Sequence, residues 1–391
     1  MMKTTLLWRW FAVALAMGTF YGPVHADRYI TIRVSYKIIL SPDDGQRPFQ
    51  DRNQPGLGRI TDQQVDDRIA EANAYLAGYG RGYRLQRLDP IYNIGGKGDT
   101  GGPSKYWNPN INNAEPAWGC HLNAAAQADP VGYLWNPAAL NIYVVNGIHG
   151  GEYDCDAIHL GGESIAGANF GSEHLHEIMH LFGICHTQGC GINDGDGLDD
   201  EVADTILDGS TWGSEDVIAQ HNFSHNYAQL SPSQKAQVDA VWYNLMSYHY
   251  AGGFLTEGQL DRFTDVANGG ANDQVAGRAY LVTGNTRFVD HGADPSAASG
   301  SSAHPYASAF AGAVAANPQG GDIVLMRPGA YNEALYLVKP MVLRATLAGH
   351  VIIGSSRYAT NVQPAPPTAA ARTSTASGVV FDDSGAGAVR R

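Results

Sequence analysis

Residues His176 to His186 read HEIMHLFGICH, which sets three histidines and a glutamate around one glycine. Imidazole nitrogens bind zinc, and a nearby carboxylate can take a proton from water. On an α-helix, residues four apart lie one turn from each other on the same face. His176 and His180 therefore reach a common ion if this stretch is helical. Glu177 lies beside that face, placed to touch a water at the metal without ligating it. A helix continued to His186 would carry it about 9 Å beyond His180 and onto the opposite side. The helix must therefore stop. Gly183 supplies the stop, because glycine enters the left-handed conformation without steric cost. The chain can then swing His186 back, giving three neutral imidazoles and one open position, the donor set of a catalytic zinc. One competing arrangement keeps His176 and His180 and takes Glu201 as third ligand, but it leaves the Gly183–His186 spacing unexplained. Unconnected histidines on an ordinary amphipathic helix are the plain alternative. His174 faces elsewhere on the helix and is not counted as a ligand.

The elements that must position these residues are legible in the hydrophobic patterning. YITIRVSYKIIL alternates and is β-branched, as a strand does. ITDQQVDDRIAEANAYLAGYG has helical periodicity, with Thr61 or Asp62 to cap it and Gly78 or Gly80 to end it. GYRLQRLDPIY reads as a second strand, and residues 94–118 as a long Gly-, Pro- and Asn-rich loop. LNIYVVNGI reads as a buried strand and ANFGSEHLHEIMHLFGI as the zinc-binding helix. Further helices are expected within SPSQKAQVDAVWYNLM and over LTEGQLDRFTDVAN. The composition changes near residues 268–278, where GGANDQVAG reads as a linker. A small-residue helix, YASAFAGAVAAN, follows, and then short runs broken by Gly and Pro: DIVLM, ALYLV, MVLRA and HVIIG. From about Ser355 the chain is rich in Pro, Ala, Thr and Ser and lacks the aliphatic density for a core.

HEIMHLFGICH resembles the extended zinc motif of the metzincin metallopeptidases. That resemblance implies a methionine-containing turn beneath the zinc, and YNLMSYH supplies it with Met246. It also implies that Tyr248 lies beside the zinc, able to ligate it or to donate a hydrogen bond to the tetrahedral intermediate. The order HTQGC, DEVADT, NLMSY, FLTEGQLDRF is most similar to the pappalysin group, over roughly Ile30 to Phe263. Two features depart from it. Cys185 stands where an apolar or aromatic residue is expected, and no cysteine follows Met246, so the family's disulfide pattern does not carry over. PQGGDIVLMRPGAYNEALYLVKPMVLRATLAGHVIIG resembles the opening coils of right-handed parallel β-helix proteins, some of which act on polysaccharides. The expected fold is α+β, a metzincin-type zincin domain of mixed twisted sheet plus active-site helix, with a small β-helix-like C-terminal module. The expected divisions are a signal peptide over 1–26, the catalytic domain over 27–268, the module over 279–355 and a disordered tail over 356–391.

The chain has 391 residues and a formal net charge of −13, which argues against a nucleic-acid partner. Lys3 and Arg9, the apolar run FAVALAMGTF and the small-residue site VHA form a secretory signal too short to span a membrane. Secretion or periplasmic delivery follows, and no later stretch reads as an integral span. The first strand begins so soon after the cleavage site that no long inhibitory pro-segment fits between them. The four cysteines, Cys120, Cys155, Cys185 and Cys190, allow two disulfides in three connectivities. The local pairing, Cys120–Cys155 and Cys185–Cys190, is the expected one, with free buried thiols as the alternative. Asp194, Asp196, Asp199, Asp200 and Asp204 crowd one loop at a density that suits calcium, although the spacing is not that of an EF-hand. Pappalysin-like enzymes can carry calcium near this loop. A solvated acidic loop is the simpler reading. The expected activity is zinc-dependent hydrolysis of protein or peptide substrates. The alternatives are a glycan-binding protein acting through the C-terminal module and an adhesin with a non-catalytic zinc site.

Overall fold

The computed structural model describes residues 29–51, 53–97, 121–145, 151–166, 171–190, 199–249, 252–272, 274–335, 337, 339–346, 349–354 and 379–381. The leader, the loop at 98–118, Cys120, Asp194, Asp196 and the tail apart from 379–381 lie outside these residues.

A six-stranded sheet is built from strands between Ile30 and Gly161. Its strands are β1 (Ile30–Leu40), β2 (Tyr83–Arg87), β3 (Tyr92–Gly95), β4 (Leu140–Val145), β5 (Gly151–Asp154) and β6 (Ala157–Gly161). Their order is β2-β1-β4-β6-β5, with β3 also paired to β1. All pairings are parallel except that of the edge strand β5, which runs antiparallel to β6. The run expected as one strand over GYRLQRLDPIY is a strand only to Arg87, and a further strand, β3, starts at its last residue and takes Ile94 and Gly95 from the stretch expected as a loop. Pro90 has no N–H for the ladder and separates β2 from β3. Both pair with β1, in registers such as Ile30↔Tyr83 and Lys37↔Tyr92.

Strand β1 is covered on both faces, as a central parallel strand should be. Ile30, Ile32, Val34, Tyr36 and Ile38 face the main core, and Ile39 enters a smaller cluster with Leu122, Tyr133 and Tyr143. The main core is closed by helices α1 (Asp62–Gly78) and α4 (Gly171–Leu181). Thr61 caps α1 in a reciprocal box with Gln64, and Val65, Ile69, Ala72 and Leu76 supply its buried stripe. Helix α4 buries Leu175, Ile178, Met179 and the following Phe182, spaced at i, i+3, i+4 and i+7. Helices α2 (His121–Ala128) and α3 (Gly162–Ala166) lie between these elements in sequence. A hairpin of α5 (Glu215–Phe223) and α6 (Pro232–Trp242) has its own small core of Ile218, Ala219, Leu230, Val238 and Val241. Helix α7 (Glu257–Ala267) follows, capped by Thr256.

Beyond residue 268 the chain is not loosely tethered. Arg278 is buried, donates to the carbonyls of Leu181 and Cys155, and pairs with Asp156. Strands β7 (Thr286–Val289), β8 (Ile323–Met326) and β10 (Val342–Ala345) form one parallel sheet. Strand β9 (Gly329–Tyr331) pairs in parallel with β11 (Val351–Ile353), which pairs antiparallel with β12 (Val379–Phe381). Two successive turns of chain, β8–β9 and β10–β11, therefore stack in parallel. ALYLV is no strand among the described residues. Its neighbour Glu333 instead caps helix α8 (Ala309–Ala315), accepting from the N–H groups of Ala309 and Phe310 at 2.7 and 3.0 Å. Leu281, Val282, Phe288, Ile323 and Leu325 belong to the same core as Ile32 and Phe263. Burial of one such Phe or Ile stabilises by about 1.5–3 kcal/mol, so the C-terminal strands help hold the sheet that carries the site.

Candidate metal centre

The zinc-motif helix ends as its glycine requires. Gly183 adopts φ +75°. Its N–H donates to His180 O at 2.8 Å, and that of Ile184 donates to Met179 O at 3.1 Å. This paired closure is a Schellman cap, which reverses the chain without leaving the last carbonyls bare. Asn272 and Val275 fill the space where a side chain at 183 would stand. The reversed chain continues into a tight turn, with Gly189 N donating to His186 O at 3.0 Å. A disulfide between Cys185 and Cys190 closes that turn covalently. Cys155 is disulfide-bonded as well, and its expected partner Cys120 lies outside the described residues.

This backbone brings His176, His180 and His186 together. Their three Nε2 atoms are 3.0 Å from one another. His176 Nδ1 donates to the carbonyl of Leu245 and His180 Nδ1 to that of Ile184, both at 2.7 Å. Carbonyls only accept, so each Nδ1 carries the hydrogen and each Nε2 presents a lone pair. His186 Nδ1 lies 3.0 Å from the Tyr248 hydroxyl, which can accept in the same way. Burial, and then the neighbouring His176, hold His186 well below the usual histidine range, so it is neutral. Three lone pairs facing one point at this distance repel unless a cation lies among them. Zinc with nitrogens at about 2.0–2.1 Å in a tetrahedron needs them roughly 3.3 Å apart, close to what is found. Among the described residues, these three histidines are the one group of His, Cys, Asp or Glu ligand atoms that converges in this way. Glu201, the alternative third ligand, is exposed and faces Arg262 at 3.9 Å.

A solved structure described as "Mirolysin in complex with compound 9" is similar to the chain at 15% identity and a TM-score of 0.38. The alignment covers 64% of this chain and 96% of that one. A likeness this slight assigns neither fold nor activity. No family model and no curated protein matches the chain.

The remaining expected site residues fall as follows. Glu177 is buried on α4, and its side chain packs against the backbone of β5. A Cβ at Gly151 would lie 2.5 Å from Glu177 Cγ. Met246 is fully buried in the main core, and the turn that carries it supplies the Leu245 carbonyl that orients His176. Asn244 holds that turn, accepting from Met246 N at 2.9 Å and donating to Gln259 Oε1 at 2.9 Å. Tyr248 is half exposed, with its hydroxyl on the outer nitrogen of His186. His174 is buried and bonded to the Tyr36 hydroxyl, and burial pushes its pKa down to about 3.

Of the five aspartates expected to suit calcium, Asp199, Asp200 and Asp204 are described, and each accepts hydrogen bonds. Asp200 is buried and accepts from Thr205 Oγ1, Val202 N and Gln259 Nε2. Burial pushes its pKa up to about 6 against those bonds. Asp204 accepts from Thr256 Oγ1 at 2.7 Å and Gly258 N at 2.8 Å, fixing the start of α7. Asp199 accepts from Glu201 N at 2.9 Å. These described carboxylates form no converging group with a third ligand.

Sequence reading did not single out Asp208, His249, Gly151, Thr187 or Gln188. Thr187 and Gln188 directly follow the third histidine, which is a usable signal. Asp208 and His249 are 41 positions apart and meet only in three dimensions.

Proposed function

We propose that this chain is a zinc-dependent endopeptidase, delivered outside the cytoplasm, that cleaves peptide bonds in proteins. The observation that carries the reading is the convergence of three lone-pair nitrogens whose outer nitrogens are each bonded to a fixed partner. Partners of this kind orient metal-binding imidazoles and set their tautomer. A zinc ion held there would lower the pKa of a water and polarise a substrate carbonyl. Glu177, next to two of the histidines on α4, takes the proton of the attacking water and returns it to the leaving amine. A purely structural site has no need of such a base. Tyr248 adds a hydroxyl at the rim, which can accept from His186 Nδ1 and still donate its own hydrogen to an oxyanion.

Substrate placement follows from β5. Among the described residues it is the edge strand of the sheet, and its Gly151 lies against Glu177, so its outer side is the side of the sheet nearest the general base. An extended peptide can pair there and present one bond to the metal. The order of HTQGC, DEVADT, NLMSY and FLTEGQLDRF supports the finer placement among the pappalysin-like metzincins. The Cys185–Cys190 bond suits an oxidising compartment.

The test is zinc content and casein hydrolysis by the purified chain, before and after chelation. One zinc per chain and activity restored by zinc are expected. Absence of stoichiometric zinc, or full activity in Glu177→Gln, would overturn the proposal.

A further inference from the structure

Asp208 is fully buried, yet it belongs to none of the motifs that build the metal centre. Its Oδ2 accepts from Thr187 Oγ1 at 2.6 Å and Gln188 Nε2 at 2.8 Å. Its Oδ1 accepts from Gly209 N at 2.9 Å and pairs with His249 Nε2 at 2.6 Å. Thr187 and Gln188 are the two residues after His186, and His249 is the residue after Tyr248. One carboxylate therefore grips the segment behind the third histidine and the segment behind the tyrosine that touches it.

The grip is reinforced from both sides. Thr187 N donates to Met246 O at 3.1 Å. Ser247 Oγ accepts from Gln188 Nε2 at 3.4 Å and from His249 N at 3.0 Å. The Trp242 ring stacks on His249 with centroids 4.7 Å apart and planes 17° from parallel. A buried carboxylate is costly unless fully bonded, and apolar packing of the same volume is often as stable. What three donors from two separate segments add, beside the neighbouring Gly209 N–H, is a fixed separation between those segments. His186 and Tyr248, each one residue before a gripped segment, meet at 3.0 Å between Nδ1 and the hydroxyl.

We infer that Asp208, with His249, is a positioning pair that locks His186 and Tyr248 in register with each other. The inference rests on the zinc-peptidase reading above. Outer groups that orient metal ligands are worth about 10–100-fold in metal affinity or activity.

The test uses the full chain with Asp208→Asn and His249→Phe. The second keeps a ring for Trp242 to stack on and removes both ring nitrogens, among them the Nε2 that meets Asp208. Zinc affinity is read by chelator competition, ligand geometry by the visible spectrum of the cobalt-substituted protein, and kcat and KM with a fluorogenic casein. Both variants are expected to alter the cobalt spectrum and to lower zinc affinity or kcat 10–100-fold, with KM within about twofold. If Asp208→Asn does not fold, His249→Phe decides alone. A wild-type chain that binds zinc and cleaves casein, with folded variants matching its spectrum and kcat, overturns the inference. A wild-type chain that does neither overturns the zinc-peptidase reading itself, and the inference falls with it.

Discussion

The stretches 176–186 and 199–204 are both rich in metal-ligating side chains, and they end in opposite states. In the first, every described outer nitrogen has a partner and the three inner ones face one point. In the second, Asp200 and Asp204 spend their oxygens on hydroxyls, an amide and backbone N–H groups. Ligand-type residues become a candidate site when the fold makes their lone pairs converge on one point. They become scaffold when the fold supplies donors. Composition is the same in kind, and the neighbours decide.

The largest test of this contrast is at Glu177. Glu177→Gln should lower kcat about 10³-fold while zinc content stays at one per chain, measured by casein turnover and metal analysis. A fall of less than tenfold would make the first stretch a scaffold like the second. Gly151→Ala comes next, since its new methyl displaces the Glu177 stem. A misplacement of about 1 Å costs up to roughly 10²-fold in kcat, with zinc binding unchanged. Unchanged turnover would show that Glu177 needs no such support.

Asp200 tests the second stretch through pH. Its folded pKa, about 6, lies above that of an unfolded Asp, near 3.9. Between about pH 4 and 6 the folded chain keeps a proton that the unfolded chain has released. Stability from this group is therefore full below pH 4 and falls as pH rises to 6, by up to ~3 kcal/mol. Asp200→Asn should remove that fall, so its melting temperature gains on the wild type from pH 4.5 to pH 7. Parallel profiles would show that the group is not perturbed. Asp204→Ala is the smallest effect. Losing its two bonds at the start of α7 should cost about 2 kcal/mol in urea unfolding, with kcat near wild type at low temperature. A loss of activity that outran the loss of stability would join the acidic loop to the site.

Much of the centre was legible because it is local. The i, i+4 histidines, the helix stop at Gly183 and the Thr61 box each depend on residues within one or two turns. The strand at Leu140–Val145 and the helices at Asp62–Gly78 and Glu257–Ala267 were legible for the same reason. What escaped depends on contacts across the chain. Asn272 reaches Gly183 over 89 positions, and Ile32 meets Val282 to merge the C-terminal strands with the sheet. No pattern in a single window distinguishes an aspartate that will meet Gln259 from one that will meet water. The division of GYRLQRLDPIY was readable from Pro90. The short strands at Thr286–Val289 and Gly329–Tyr331 were not, because their alternation is only three or four residues long.

The covalent link between Cys185 and Cys190 encloses His186 in a small ring. Wherever thiols are kept reduced, that ring is open, and the third imidazole relies on weaker tethers. With the ring closed, the turn that presents the third imidazole is held by a covalent bond as well as by hydrogen bonds.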